Sequence, residues 1–352
     1  MLTEKTVLIT GGTGSLGKVL VRRLLSGEMG LPEKIIVFSR DEAKQHAMRV
    51  EYQNLKCPTD EVIYNNFQQL LEFRIGDVRD FHSISAVLPD VDIVFNAAAL
   101  KQVPSCEYFP FEAVQTNILG PENIIRAIRE HNLKIETVVG ISTDKACKPV
   151  NVMGMTKAIQ ERVFIHANMD CKNTRFICVR YGNVLASRGS VIPLFHEQIK
   201  SGGPVTITTE DMTRFLLSLD QAVDTIFAAI KSGRRGETFI PRVPSAKVTD
   251  IANILIGNRA INTIVTGIRP GEKVHEILVS EEEAHRTISR GNYYVILPIL
   301  PELLPKEGVG EIIGHEFSSA DNLMSISELK KQMEKFNLLL EQQTPGEGEL
   351  LR

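Results

Sequence analysis

The chain has 352 residues, 43% of them hydrophobic and 24% charged, enough for a buried core and a second, smaller lobe. A formal net charge of −3 offers no global attraction to nucleic acid or to an anionic membrane, so any bound anion must meet a local site. The five cysteines (Cys57, Cys106, Cys147, Cys171 and Cys178) form no CxxC pair and no metal-ligand spacing, and no apolar stretch reaches the ~20 residues that span a bilayer. Reduced thiols, no metal, no membrane anchor and a cytoplasmic setting are therefore expected.

Short β-rich runs alternate with helical patterns from the start. Thr6–Thr10 reads as a strand, Leu16, Leu20 and Leu24 share one helix face, and 35–38 reads as the second strand. Further strands are expected at Leu71–Ile75, Ile93–Asn96, 137–142 and 176–180, with helices near 121–130 and 156–167. This alternation predicts an α/β fold in which residues 1–184 form a Rossmann-type doubly wound parallel sheet. After Tyr181, the breaks at Gly202-Gly203-Pro204, Arg234-Arg235-Gly236 and Arg269-Pro270-Gly271 separate shorter elements. Residues 185–216 and 243–330 are expected to form a smaller C-terminal substrate-binding lobe. The helix-like stretch 220–231, followed by Thr238-Phe239-Ile240, is expected to return 217–242 to the first domain. Residues 331–352 are read as the C-terminal helix, an amphipathic pattern spanning 325–340, and an aperiodic tail from 343 to 352.

Thr10-Gly11-Gly12-Thr13-Gly14-Ser15-Leu16-Gly17 lies between the first strand and the first helix. There a dinucleotide pyrophosphate needs close backbone approach and free N–H groups, so Gly11, Thr13, Gly14, Ser15, Leu16 and Gly17 are candidate cofactor contacts. The second strand ends in Phe38-Ser39-Arg40-Asp41, with Lys44 one helical turn later, where a Rossmann fold meets the adenosine ribose. Ser39, Arg40 and Lys44 can pair a 2′-phosphate through charge-assisted bonds, which favours NADP; NAD stays open through Asp41. Asp77 and Val78 suit a contact with the adenine. Ala97, Ala98 and Ala99 supply small side chains where the cofactor must pass the backbone.

Several runs are more specific: Ala97-Ala98-Ala99-Leu100-Lys101, Ser142-Thr143-Asp144-Lys145-Ala146, Arg180-Tyr181-Gly182-Asn183-Val184 and Ile268-Arg269-Pro270-Gly271-Glu272-Lys273. With the glycine loop they resemble the extended short-chain dehydrogenase/reductases and, within these, the UDP-N-acetylglucosamine 4,6-dehydratases of surface-polysaccharide synthesis. The resemblance runs from about Thr6 to Glu276. It implies a UDP-sugar substrate, a bound NADP that relays a hydride within each turnover, and assembly as a homo-oligomer.

Dehydration across C5 and C6 of a hexose needs a transient C4 ketone, a base for the C5 proton, an acid for the leaving C6 hydroxyl, and a hydride returned to C6. Asp144 and Lys145 offer an acid and a base as neighbours. By the resemblance, Asp144 protonates the departing hydroxyl and Lys145 handles the C5 proton; both roles demand shifted pKa values. Lys101 and Asn183 resemble positions facing the sugar nucleotide, and Arg269 and Glu272 resemble the motif that closes over its diphosphate. Arg188, Arg214 and Arg242 are further candidate cations.

The wider superfamily places a Tyr four residues before a Lys. Here Lys157 is present and Met153 holds the Tyr position, so the C4 hydroxyl proton must leave through Asp144, Lys145, Lys157 or a water held by Thr143. Thr143 and Asp144 sharing that work is the reading we carry forward. Asn96, where a His is usual, and Gln102 are further departures. A 4-epimerase on the same substrate and a non-catalytic NADP-binding regulator are the competing readings.

Overall fold

The computed structural model describes residues 1–54, 67–185, 190–305 and 310–340. Six parallel strands begin the central sheet: β1 (Thr6–Thr10), β2 (Lys34–Ser39), β3 (Leu71–Ile75), β4 (Ile93–Asn96), β5 (Thr137–Thr143) and β6 (Arg175–Tyr181). Their spatial order is β3-β2-β1-β4-β5-β6, so the chain reverses its winding between β1 and β4. A doubly wound sheet opens a crevice at the carboxyl ends of its strands at such a point.

The helices covering the sheet and building the lobe are α1 (Ser15–Leu25), α2 (Glu42–Gln53), α3 (Gly120–Glu130), α4 (Val152–Asp170), α5 (Val191–Lys200), α6 (Leu219–Ser232), α7 (Val248–Ile256) and α8 (Ile326–Lys335). β1 and β4 are buried at every position, as parallel strands covered on both faces must be. Alternate residues serve opposite layers. Val7, Ile9, Ile35 and Val37 pack with Leu20 and Leu24 of α1 and Ile226 of α6, whereas Leu8, Ile36 and Val94 pack with Ile124 and Ile128 of α3 and Phe164 of α4.

Past β6 come β7 (Val205–Ile207), β8 (Thr213–Phe215), β9 (Thr238–Pro241), β10 (Ser245–Lys247), β11 (Thr263–Val265), β12 (Ile277–Val279), β13 (Thr287–Arg290), β14 (Tyr293–Ile296) and β15 (Phe317–Ser318). β9 lies parallel beside β6, and β14 and β13 follow it as an antiparallel pair, completing nine strands. This corrects the sequence expectation, which places 287–296 in the lobe. The two-residue Gly291-Asn292 turn between β13 and β14, with Gly291 at φ 59°, is a hairpin signal that folds them back onto the sheet.

The lobe has its own core. Ile192 and Phe195 of α5, Val205 and Ile207 of β7, Ile251 and Leu255 of α7, and Leu329 and Met333 of α8 form one cluster. β7 pairs β11, β8 pairs β10, and β12 pairs β15. The last described helix is shorter than the expected 325–340. Ser325 and Glu328 close its start with a capping box; Asn337, at φ 53°, ends it, with the Leu338 N–H returning to the Met333 carbonyl at 2.9 Å. The expected tail at 343–352 lies outside the described residues.

Among the described residues no helix is long and apolar enough to cross a membrane, and no cluster of His, Cys, Asp and Glu could hold a metal. Cys106, Cys147, Cys171 and Cys178 are free and buried.

Candidate active site

The carboxyl edge of the sheet and the lobe enclose a cleft of about 1310 Å³. Its floor is the glycine loop. Gly11 has φ 67°, and a Cβ there would lie 2.8 Å from the Ala98 backbone; at Gly17 it would lie 2.5 Å from that of Gly12. Only hydrogen at both positions lets the loop lie flat against the end of β4 and close on itself. Gly14 caps α1 without a side chain, so the first-turn N–H groups, the positive end of the helix dipole, remain available to an anion. Thr13, Ser15 and Leu16 line the same space. These residues fit a dinucleotide pyrophosphate.

Beside the loop lies the tip of β2. Ser39 is buried, with Gln45 Nε2 donating to its carbonyl at 3.1 Å and to its hydroxyl at 3.2 Å. Arg40 is 54% exposed and reaches Asp77 Oδ2 at 3.5 Å. Asp41 is engaged within α2, where its carboxylate accepts from the Lys44 N–H at 3.0 Å as the N-cap and pairs the Lys44 ammonium at 2.6 Å. Partial burial opposes the charge on Asp77, but bonds from Arg79 and the field of Arg40 hold its pKa below the ordinary value. Val78, Ala97, Ala98 and Ala99 line the cleft alongside.

Thr143, Asp144 and Lys145 sit where β5 gives way to a 3₁₀ turn over Asp144–Ala146. Asp144 is fully buried; its Oδ1 accepts from the Thr143 hydroxyl at 2.8 Å and from Lys145 Nζ at 3.0 Å, while Oδ2 has no hydrogen-bond partner among the described residues. Lys145 Nζ also donates to Asn183 Oδ1 at 3.2 Å and lies 3.3 Å from Glu276 Oε1. Burial alone would favour the neutral amine, but Asp144 and Glu276 outweigh both that penalty and the repulsion of Arg214 and raise the Lys145 pKa. Lys145 therefore rests as the ammonium.

Lys157, buried on α4, donates to the Ile141 carbonyl at 2.9 Å and to Gln160 Oε1 at 2.8 Å. Burial pushes its pKa down to about 8. Met153, one turn earlier, is 4% exposed and packs with Cys106 and Ala113 while lining the cleft. Thioether and hydrocarbon occupy the place where a phenol would stand.

The cleft also gathers Lys101, Asn183, Arg214, Arg269 and Glu272. Arg269 is 59% exposed and lies 3.9 Å from Glu272. Arg214 is tied inward, its Nη1 donating to the Thr213 and Val274 carbonyls, with Nε 4.0 Å from Glu276.

Relatives give this geometry a context. A family model described as "Polysaccharide biosynthesis protein" matches residues 7–298. The chain belongs to this polysaccharide biosynthesis family. It is 44% identical over 301 residues to a Campylobacter jejuni protein named UDP-N-acetylglucosamine 4,6-dehydratase (inverting), covering 85% of this chain and 84% of that one. It is 45% identical over 301 residues, 84% of each chain, to a Rickettsia bellii (strain OSU 85-389) protein named UDP-glucose 4-epimerase. Among solved structures, Pen from Bacillus thuringiensis superposes with a TM-score of 0.84 at 33% identity, over 96% of this chain and all of that one. The fold is that of the extended short-chain dehydrogenase/reductases, shared with DesIV, a dTDP-glucose 4,6-dehydratase from Streptomyces venezuelae, at a TM-score of 0.63 and 20% identity over 76% of this chain and 86% of that one.

Of the cations expected at the site, one is not brought to it and one is not described. Arg188 lies outside the described residues. Arg242 does not line the cleft: its guanidinium stacks 5.0 Å from the centre of the Tyr294 ring, because the 287–296 hairpin covers that strand edge. Three supporting residues escaped sequence reasoning. Glu276 lies four positions after Glu272, a spacing with no recognised meaning by itself. Asn117 pins the backbone of Leu100 through both amide groups, at 2.8 and 2.9 Å, and Gln160 holds Lys157. Asn117 and Gln160 are single polar residues in helical surroundings, and only tertiary contact reveals them.

Proposed function

We propose that this chain is an NADP-dependent UDP-N-acetylglucosamine 4,6-dehydratase, yielding a UDP-4-keto-6-deoxy-N-acetylhexosamine in the cytoplasm as a homo-oligomer. The observation that carries this reading is the pair of buried Asp144 and half-buried Lys145, 3.0 Å apart and joined to Thr143, with Met153 where a phenol would stand. The Campylobacter relative's name agrees with it.

Gly11–Gly17 would hold the pyrophosphate, Lys157 the nicotinamide ribose, and Ser39, Arg40 and Lys44 the 2′-phosphate. Asp41 is occupied as a helix cap, which removes the acidic group that would have favoured NAD. When bound, this cofactor accepts a hydride from C4 and returns one to C6. The protein's part is proton handling. Thr143 takes the C4 hydroxyl proton while passing its own to Asp144, along their 2.8 Å bond. Asp144, now a carboxylic acid, gives that proton to the C6 hydroxyl, which leaves as water. Lys145, as the amine, takes the C5 proton and later returns one to C5. Lys101, Asn183, Arg214, Arg269 and Glu272 would receive the sugar nucleotide, with Arg269 exposed enough to swing onto its diphosphate. Exposed Met155 and Ile159 on α4 and Phe111 and Leu119 on the segment packed against it are the faces through which copies would associate.

The names of the Rickettsia relatives favour a 4-epimerase. That reaction needs no acid for C6 and no base for C5, but it does need the acceptor for the C4 hydroxyl proton that Thr143 and Asp144 supply here, so Lys145 is the residue that discriminates. The Asp144→Asn and Lys145→Ala variants are expected to bind cofactor normally while losing turnover by about 10²–10⁴-fold. Variants that turn over as the parent does would leave the regulator or epimerase reading standing.

A further inference from the structure

Lys145 rests as a cation, yet the dehydratase reading requires it to enter the C5 step as an amine. Its proton must go to a nearby acceptor. Asp144 does not serve, because in that reading it already carries the C4 hydroxyl proton toward C6. Among the described residues the other carboxylate beside Nζ is Glu276, at 3.3 Å and 2% exposed.

Glu276 is firmly set. It precedes β12, its N–H donates to Ser319 Oγ at 3.0 Å, and its carbonyl accepts from the Ser319 N–H at 2.8 Å. Ser319 Oγ is in turn bonded to the Thr213 hydroxyl at 2.6 Å. Glu276 lines the cleft, and its Oε2 is buried without a hydrogen-bond partner among the described residues. A carboxylate that merely anchored Lys145 through Oε1 would leave that buried oxygen unexplained. The other titratable groups around the pair are Asp144 on the same turn, Arg214 on β8, and Lys273 and His275 on the loop before β12.

We propose that Glu276 is a positioning residue that unloads and reloads Lys145: it accepts a proton from Nζ before the C5 step and returns it afterwards. This rests on the dehydratase reading. The protons balance. An N–H bond on Lys145 breaks as an O–H bond forms on Glu276, and the freed amine pair takes the C5 proton. Nζ delivers a proton to C5 as C6 gains its hydride, and Glu276 then restores the ammonium. No proton is gained or lost overall, and the arrangement gives the lobe, through the Glu276 segment, a direct part in chemistry on the sheet edge.

The test compares wild type, Glu276→Gln and Glu276→Asp from about pH 6 to pH 10, following kcat, KM and deuterium incorporation at C5. Glu276→Gln is expected to lower kcat and C5 exchange about 100-fold at neutral pH with KM nearly unchanged, and to recover toward alkaline pH as Lys145 loses its proton to solvent. Glu276→Asp, keeping a carboxylate, is expected to restore part of the neutral-pH rate. Wild-type kcat and exchange in Glu276→Gln at neutral pH would overturn the proposal. So would a loss equal at every pH that Glu276→Asp does not relieve. If the wild type makes only a C4 epimer, the dehydratase reading itself fails; a normal dehydration product formed at full rate by Glu276→Gln sinks this inference alone.

Discussion

Replacing Arg40 by Ala separates the two cofactor readings. The guanidinium is 54% exposed and its contact with Asp77 is 3.5 Å, an exposed pair worth about 0–1 kcal/mol, so the fold itself should scarcely respond. A 2′-phosphate would lose a charge-assisted partner worth about 1.5–3 kcal/mol, which converts to roughly a 10- to 150-fold rise in the NADP Kd. Lys44, the other cation assigned to that phosphate, is the same in both proteins, so the difference reads Arg40 alone. Calorimetric titration of wild type and Arg40→Ala with NADP and with NAD reads both numbers on one preparation. The expected outcome is a large loss for NADP and almost none for NAD. Equal losses for both, or no loss for either, would refute the assignment of Arg40 to a 2′-phosphate.

Three further outcomes follow from the buried groups. Folding lowers the Lys157 pKa from 10.5 to about 8, a cost on the order of 3 kcal/mol that is fully present below pH 8 and fades toward pH 10.5. Lys157→Met should therefore raise the thermal midpoint at pH 7, with a gain that shrinks at alkaline pH, while weakening cofactor binding. Arg180 is buried between Glu161, at 2.6 Å, and Glu283, at 2.7 Å, so Arg180→Met should destabilise by about 3–5 kcal/mol in denaturant titration. Burial opposes the Glu283 charge, but Arg180 prevails and brings its pKa to about 2; the resulting stabilisation is complete above the ordinary value of 4.5, is lost as pH falls toward 2, and should vanish from the acid limb of the variant. Gly17→Ala, which drives a methyl against the Gly12 backbone, should cost about 1–3 kcal/mol and reduce affinity for NADP and NAD alike.

Much of the six-stranded parallel sheet and its glycine loop is legible in the chain because its signals are local. The apolar runs of β1, β2 and β4 identify strands buried on both faces, and Gly11 and Gly17 stand where any Cβ would meet backbone. The Asp144–Lys145 pair is readable for the same reason, being adjacent in sequence. What stays hidden arises over distance. Lys145 looks like a base until Glu276, 131 positions away, is found holding it as a cation. The 287–296 hairpin is harder to read because its short Gly291-Asn292 turn is set in a looser pattern, and nothing local says that β14 will pair with β9. Arg242 illustrates the same limit, since only that hairpin decides what its guanidinium meets.

The most direct test of the central claim is the product formed from UDP-N-acetylglucosamine in deuterated water, followed by proton NMR. The account predicts loss of the C6 hydroxymethyl signals, a new 6-methyl resonance and deuterium at C5. A C4 epimer with its C6 hydroxymethyl intact and protium at C5 would contradict it.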